Sequence, residues 1–431
     1  MKKQNRTLLY LMMIGLSILL VMRDVYGVPL SKFIYFGFIA AFMAVANYQV
    51  LVQMICFILP LLCGLPGTYI MPVALVWLVT KRKTFKTIQS VPLLIFLLLE
   101  LFATMWYPSL QLPLIIQYIS FAGVMIFLIN DDKELDYRSC IKCYLLGVVL
   151  LCAVIMTVTL EGAPTKWLKL FAEGRFRFGD AHVDEIKMQL ALNANSLAYY
   201  SLTGVSCGIL LTEKEKGVKR LLYLTIALFA VIIGFLTLSR SWLVVLLAGM
   251  LLYIISKLRD PKQFVILAVV LLVLVGIGSV YLENNPELLS GFEMRFEDDM
   301  MESGGSRTYI FKKYMEIYFG DLRYVFFGAG VTQTNEAVGS AGSMHNGLQQ
   351  ILVCCGIVGF ALYMVVLILP IWKACRGKKL SMIHWLPLIS VVTFTQTIQF
   401  LNPMMLMLPY IIGIYALRAG GQNGENISDN R

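Results

Sequence analysis

The chain has 431 residues, of which 58% are hydrophobic and only 14% charged, with a mean hydropathy of +0.75; a soluble domain has about a quarter charged residues. That excludes an ordinary soluble enzyme built on one aqueous core. The formal net charge of +10 lies in small clusters beside apolar runs, which reads as positive-inside retention, and no basic patch with interleaved aromatics points to nucleic acid.

Apolar runs follow one another at approximately 8–22, 33–47, 49–63, 69–80, 91–106, 112–130, 140–160, 191–211, 220–238, 241–256, 263–281, 346–371, 383–399 and 402–418. Most approach the length a helix needs to cross hydrocarbon. The first follows the basic stretch Met1–Arg6 and is closed by Arg23-Asp24 with no small-residue cleavage site, so it reads as a retained helix and not a signal peptide. Pro60, Pro66 and Pro72 mark breaks or re-entrant segments between 33 and 80. The expectation is an all-α polytopic membrane bundle of about 12–14 transmembrane helices. It forms a single domain over 1–418, and the polar, Gly/Asn-rich stretch 419–431 is expected to be a disordered cytoplasmic tail.

With the N-terminus in the cytoplasm and strict alternation, the clusters Lys81-Arg82-Lys83, Lys133 to Lys142, Lys214 to Arg220, Lys257 to Lys262 and Lys373 to Lys379 all fall inside, with Arg418. Both termini are then cytoplasmic. Two long polar segments fall outside, 161–190 and 282–344, and loops of that length are usually functional. Within the second, 306–319 reads as an amphipathic helix along the membrane surface. Ser306 is its N-cap, Tyr309, Ile310, Tyr314, Ile317 and Tyr318 line one side, and Lys312, Lys313 and Glu316 the other. Gly320 ends it, and Gly328-Ala329-Gly330 turns the chain back toward the bilayer.

Charges near membrane depth are costly to place and point to function. Arg240 sits in Leu238-Ser239-Arg240-Ser241-Trp242, a hairpin with almost no loop; it is either a snorkelling side chain or a partner for an anionic ligand. His345 opens a long apolar run, with Asn346 and Gln349 beside it. A helix N-terminus favours anions, and an imidazole titrating near pH 6.5 can take a proton from a hydroxyl; a capping histidine is the plain alternative. Arg307 falls in the first turn of the amphipathic segment, where a cation opposes the helix dipole unless it shares a bound phosphate with the backbone N–H groups; otherwise it is a solvated arginine. Arg175 and Arg177 stand among aromatics in 174–179, as sugar- or phosphate-holding groups or as interfacial anchors. Asn193 and Asn195 either bind hydroxyls or cap the helix that follows. Acidic residues outnumber basic ones in 282–344, so recognition of an anion there rests on individual arginines and not on bulk steering.

Other groups carry less. Glu100 is solitary inside a helix, and His182 lies in the first outer loop. Glu297-Asp298-Asp299 lacks ligand-loop spacing for a divalent cation, and Cys140 and Cys143 form a lone CxxC. No metal or cofactor is expected, and the nine cysteines read as free thiols.

Ser239-Arg240 at a tight hairpin, an arginine near the amphipathic helix of a long outer loop, and His345-Asn346 followed by Gly356-Ile357-Val358-Gly359 resemble the superfamily of O-antigen ligases and Wzy-type polysaccharide polymerases, over roughly Thr237 to Trp372. The stretch Arg175–Asn195 is similar to the preceding loop and helix, with Asn193-Ala194-Asn195 where the family commonly has Asn-Pro-Asn. An arginine followed by ten residues and then a glycine, a pattern of some polymerases, does not occur in the outer loops. The resemblance implies a metal-independent glycosyltransferase of the bacterial cytoplasmic membrane, active on its outer face, with undecaprenyl-pyrophosphate-linked glycan as donor. His345 would then activate the acceptor hydroxyl, and Arg240 and Arg307 would hold the pyrophosphate and stabilise the charge that develops on it. Arg175, Arg177, Asn193, Asn195, Asn346 and Gln349 would bind substrate. The expected role is polymerase of a lipid-linked surface polysaccharide (O-antigen, capsule or exopolysaccharide). The alternatives are a ligase transferring glycan to lipid A–core or another acceptor and, from another class, a lipid-linked sugar flippase or transporter. Expected partners are the lipid-linked donor, a glycan or lipid-linked acceptor, membrane lipids, a flippase and a chain-length regulator.

Overall fold

A computed structural model describes residues 3–82, 112–130, 135–162, 177–179, 192–257, 309–330, 346–378, 380–394 and 409–428, with isolated positions between 91 and 98 and between 265 and 290. Every regular element among them is helical, as expected of an all-α polytopic membrane protein. In chain order these are α1 (Lys3–Asp24), α2 (Lys32–Val45), α3 (Tyr48–Ile58) continuing as a 3₁₀ turn (Leu59–Cys63), α4 (Gly67–Lys81), α5 (Leu112–Ile129), α6 (Tyr137–Gly162), α7 (Ala194–Thr212), α8 (Gly217–Leu236) and α9 (Arg240–Lys257). After them come α10 (residues 309–320), α11 (Leu322–Phe327), α12 (Gly347–Cys375), a 3₁₀ turn (Met382–His384), α13 (Leu386–Phe394) and α14 (Pro409–Ser428). Four spans, Arg6–Asp24, Tyr137–Leu160, Gly217–Leu236 and Gly347–Cys375, are long and apolar enough to cross a membrane by themselves.

Proline placement explains the uneven stretch between 33 and 81. Pro60 lies at the start of the 3₁₀ turn, where its missing N–H costs nothing, and Pro66 is the N-cap of α4. Pro72 is accommodated inside α4. The short α3 is buried on every side, from Val50 to Ile58. Gly147 of α6 lets it come close, since a Cβ there would overlap the backbone of Phe57. α7 and α8 pack through small residues, with Gly204 facing Ala230 and Gly208 facing Ala227, the device by which helices associate without a hydrophobic driving force.

Cations close the C-terminal ends of several helices, where the last carbonyls lack intrahelical partners. Lys81 Nζ donates to the carbonyls of Met43 and Ala44 at 2.7 Å each, and to Ala46, at the end of α2. Arg82 donates to Phe127 O at 2.9 Å, and Arg418 to Asn130 O at 3.1 Å and to Ile129 O, which closes α5. Arg138 donates to Leu211 O at 2.8 Å at the end of α7. These contacts gather at one end of the bundle, joined by Lys142 on Glu215 at 3.4 Å and His384 beside Glu213 at 3.6 Å.

The C-terminal helix runs past residue 418, where the apolar pattern ends, to Ser428. Gly420 and Gly421 provide the room: a Cβ on either would press on His384 and Leu380 or on Lys378. The amphipathic segment differs from its pattern at one position. Tyr314 and Tyr318 are buried, with Ile310 and Ile317 partly so, but Tyr309 is 58% exposed. It lies under Lys313, whose Nζ is 5.8 Å from the ring centroid, a cation–π contact that an exposed tyrosine can keep. Glu100, His182 and most of the two long polar segments lie outside the described residues.

Candidate functional site

Helices α7 and α12 both finish at the cationic end. Leu211 of α7 meets Arg138 there, and Lys378 and Leu380, just past α12, pack on the same C-terminal stretch of α14 as His384. Their N-termini therefore lie at the opposite end, which also receives the α8–α9 hairpin.

At that opposite end one group of contacts is built on the hairpin. Phe178 N–H donates to Leu236 O at 3.2 Å, tying 177–179 to the last residue of α8. Gly179, at φ +94°, lies against Leu197 and Ala194 in the first turns of α7. Trp242 Nε1 donates to Ser201 Oγ at 2.8 Å, and Gly234 leaves the space into which the indole fits. Half-buried Arg177, the α7 N-terminus and Arg240 as first residue of α9 thus belong to one cluster. The hairpin turns through Leu238 at φ 50°, the single non-glycine residue with positive φ among those described. Such a conformation costs about 1–3 kcal/mol and persists only where the surroundings enforce it; here Leu238 is buried.

A second group forms around the start of α12. Asn346 is its N-cap, accepting from Gln349 N–H at 3.0 Å. Buried Gln349 in turn donates through Nε2 to Phe311 O of α10 at 3.2 Å. The sequence neighbours of Arg307 and His345 are thereby joined, although Arg307 and His345 themselves lie outside the described residues, as does Arg175. α12 is broken at Gly356 (φ 67°, ψ −176°), a region open essentially to glycine alone. The break redirects two carbonyls: Val353 O accepts Ala329 N–H and Cys354 O accepts Gly330 N–H, each at 2.9 Å. Gly328 and Gly356 face each other's strands of chain so closely that a Cβ on either would overlap backbone. The Gly328-Ala329-Gly330 turn is therefore docked onto the broken helix, an arrangement that the sequence pattern of glycines hinted at only as a turn.

Several of the proposed binding residues have clear structural partners. Asn193 caps α7 through Asn195 N–H at 2.8 Å. Asp321, not one of these, caps α11 and also holds Arg323, and this guanidinium keeps the half-buried carboxyl below its usual range. Asn195 lies half-buried one residue into α7. Among the described residues no group of His, Cys, Asp and Glu is placed to hold a metal.

The hairpin and the start of α12 both lie at this end of the bundle, each with a helix N-terminus, the positive end of a helix dipole and a setting that suits an anion. Residues 225–364 match the family described as O-antigen ligase. The match spans the α8–α9 hairpin, the 282–344 segment and the first part of α12, and bears out the resemblance to the O-antigen ligase and Wzy-type superfamily. It supports a ligase- or polymerase-type part in polysaccharide assembly. No curated protein and no solved structure matches the chain.

Proposed function

We propose that this protein is a polymerase that lengthens a surface polysaccharide on the outer face of the bacterial cytoplasmic membrane. It would transfer glycan from undecaprenyl pyrophosphate to a sugar hydroxyl of the acceptor. The observation that carries this reading is the family match over 225–364, which encloses Arg240, Arg307 and His345. The contact of Gln349 with Phe311 supports bringing the last two near each other. The cationic end faces the cytoplasm in this reading, as the positive-inside rule requires, which leaves the hairpin and the α12 N-terminus outside.

His345 takes the proton from the attacking hydroxyl as its oxygen bonds to the anomeric carbon of the donor sugar. The bond from that carbon to the pyrophosphate oxygen breaks, and the electron pair leaves on the pyrophosphate. Arg240 and Arg307 neutralise the charge that accumulates there, a contribution that grows toward the transition state. Arg177, Arg175 and Asn195 hold glycan and phosphate oxygens. No metal is required in this scheme, because two guanidiniums supply the charge.

The test is elongation of purified lipid-linked oligosaccharide by the full chain in membranes. His345→Ala, Arg240→Ala and Arg307→Ala are each expected to cut the rate about 100-fold or more at normal expression. Normal polymer length from all three would overturn the mechanism. Transfer to lipid A–core with no elongation would assign the ligase role in place of the polymerase.

A further inference from the structure

Among the described residues, Ser239 is one of several whose buried hydroxyl has no hydrogen-bond partner, and it alone of these is a helix N-cap. Ser239 is the N-cap of α9, because its carbonyl accepts Leu243 N–H at 3.2 Å and Arg240 is the first helical residue. A serine in that position normally turns Oγ onto the second or third N–H of the helix. Ser31, Asn47, Asn193, Asp321 and Asn346 all do this at their own helices. Ser239 does not. It is 6% exposed, and its Oγ is buried with no hydrogen-bond partner.

Burying a hydroxyl without a partner is unfavourable, and such groups are few in folded proteins. The cost is compounded here by the left-handed Leu238 just before it. Meanwhile the N–H groups of Ser241 and Trp242 are not taken up by the cap side chain, and they point along the helix axis at its positive end. A hydroxyl donor, helix-end amides and the Arg240 guanidinium next in sequence match the needs of a tetrahedral oxyanion. Ser239 can reach a ligand by a change of χ1 well without moving the backbone.

We infer that Ser239 Oγ and the first-turn amides of α9 form a notch that binds a phosphate oxygen of the lipid-linked donor beside Arg240. The identity of the ligand rests on the glycan-transfer reading; the notch itself rests on the unbonded Ser239 hydroxyl. Ser239 is then a binding residue, and its side chain adds nothing to the helix until the phosphate is present.

The experiment uses the full chain in nanodiscs, with undecaprenyl pyrophosphate in one arm and inorganic pyrophosphate in the other. Both binding and the thermal midpoint without ligand are measured. Ser239→Ala is expected to weaken binding about 10-fold and leave the unliganded midpoint unchanged. Ser239→Thr keeps the hydroxyl and the binding. Ser239→Asp is the sharpest variant: it is a good N-cap and suits the helix dipole, so the midpoint holds or rises, while its carboxylate repels phosphate and binding is lost. The notch is overturned if Ser239→Ala lowers the midpoint and binds as wild type, the behaviour of an ordinary cap, or if Ser239→Asp binds normally. If Arg240→Ala loses binding of the lipid pyrophosphate and Ser239→Ala does not, the notch falls and the glycan-transfer reading stands. If wild type binds only inorganic pyrophosphate, and through Ser239, the notch stands and the lipid-linked reading falls. If wild type binds neither, both fall.

Discussion

Single residues bear much of the geometry at the candidate site. Gly356 holds φ 67° and ψ −176° with the backbone of Phe326 and Phe327 against its Cα. An alanine there would combine a forbidden backbone conformation with overlap onto backbone that cannot move aside. Gly356→Ala is expected to destabilise the protein by about 3 kcal/mol or more, read from thermal unfolding in detergent. Gly249 of α9 has open space around it, so Gly249→Ala should be neutral or stabilise by about 0.5–1 kcal/mol. Equal effects at the two positions would show that the break at Gly356 is not required.

Elements meet through a few polar pairs set in apolar surroundings. The α8–α9 hairpin is fastened to α7 by Trp242 Nε1 on Ser201 Oγ, both residues buried. Ser201→Ala leaves the indole N–H without a partner and should cost about 1–3 kcal/mol. Trp242→Phe in the same chain removes the orphaned donor, so the double variant should lose less than the sum of the two single ones. A double-mutant cycle on unfolding free energy checks this, and strict additivity would show that the bond does not couple the hairpin to α7. At the start of α12 the contact of Gln349 with Phe311 O does the corresponding work, joining the helical part of the long polar segment to the long apolar helix.

The whole molecule is polarised. One end collects Lys81, Arg82, Arg138, Lys142 and Arg418 on helix C-termini and acidic side chains, and the other collects helix N-termini. At the cationic end, burial holds the His384 imidazole below its ordinary value of 6.5, with Glu213 opposing that shift and Lys214 and Arg138 adding to it. The unfolded chain then binds a proton that the folded chain does not, in the window just below pH 6.5. Stability falls as the pH drops through that window and is restored above it. His384→Gln should therefore show a smaller loss of thermal midpoint than wild type between pH 7.5 and 5.5; identical slopes would exclude His384 as the source. The sidedness is open to cysteine labelling in a background without the nine native cysteines. Cysteine at 345 should react with an impermeant reagent from outside and cysteine at 214 only from inside, and the reverse pattern would overturn the proposed orientation.

Much of this architecture is legible in the amino-acid sequence. Hydrophobic length marks nearly every helix among the described residues, since a span must bury its backbone within one continuous segment. The basic clusters tell which ends belong together, because each sits directly beside its own helix. Pro60 and Pro66 flag real interruptions, and Arg240 is readable as a charge in a hairpin too short to carry it into water. Other features depend on partners far away in the chain, which no local pattern encodes. Arg418 closes α5 across 288 positions. Tyr309 leaves the apolar face of α10 for a lysine contact. Gly356 breaks a run whose composition is uniformly helical, because the turn at 328–330 needs the carbonyls that the break releases. Ser239 reads as an ordinary N-cap in sequence, and only the fold leaves its hydroxyl unbonded. Local hydrophobicity and charge determined the spans and their polarity; long-range packing decided which backbone and side-chain groups are left to meet a ligand.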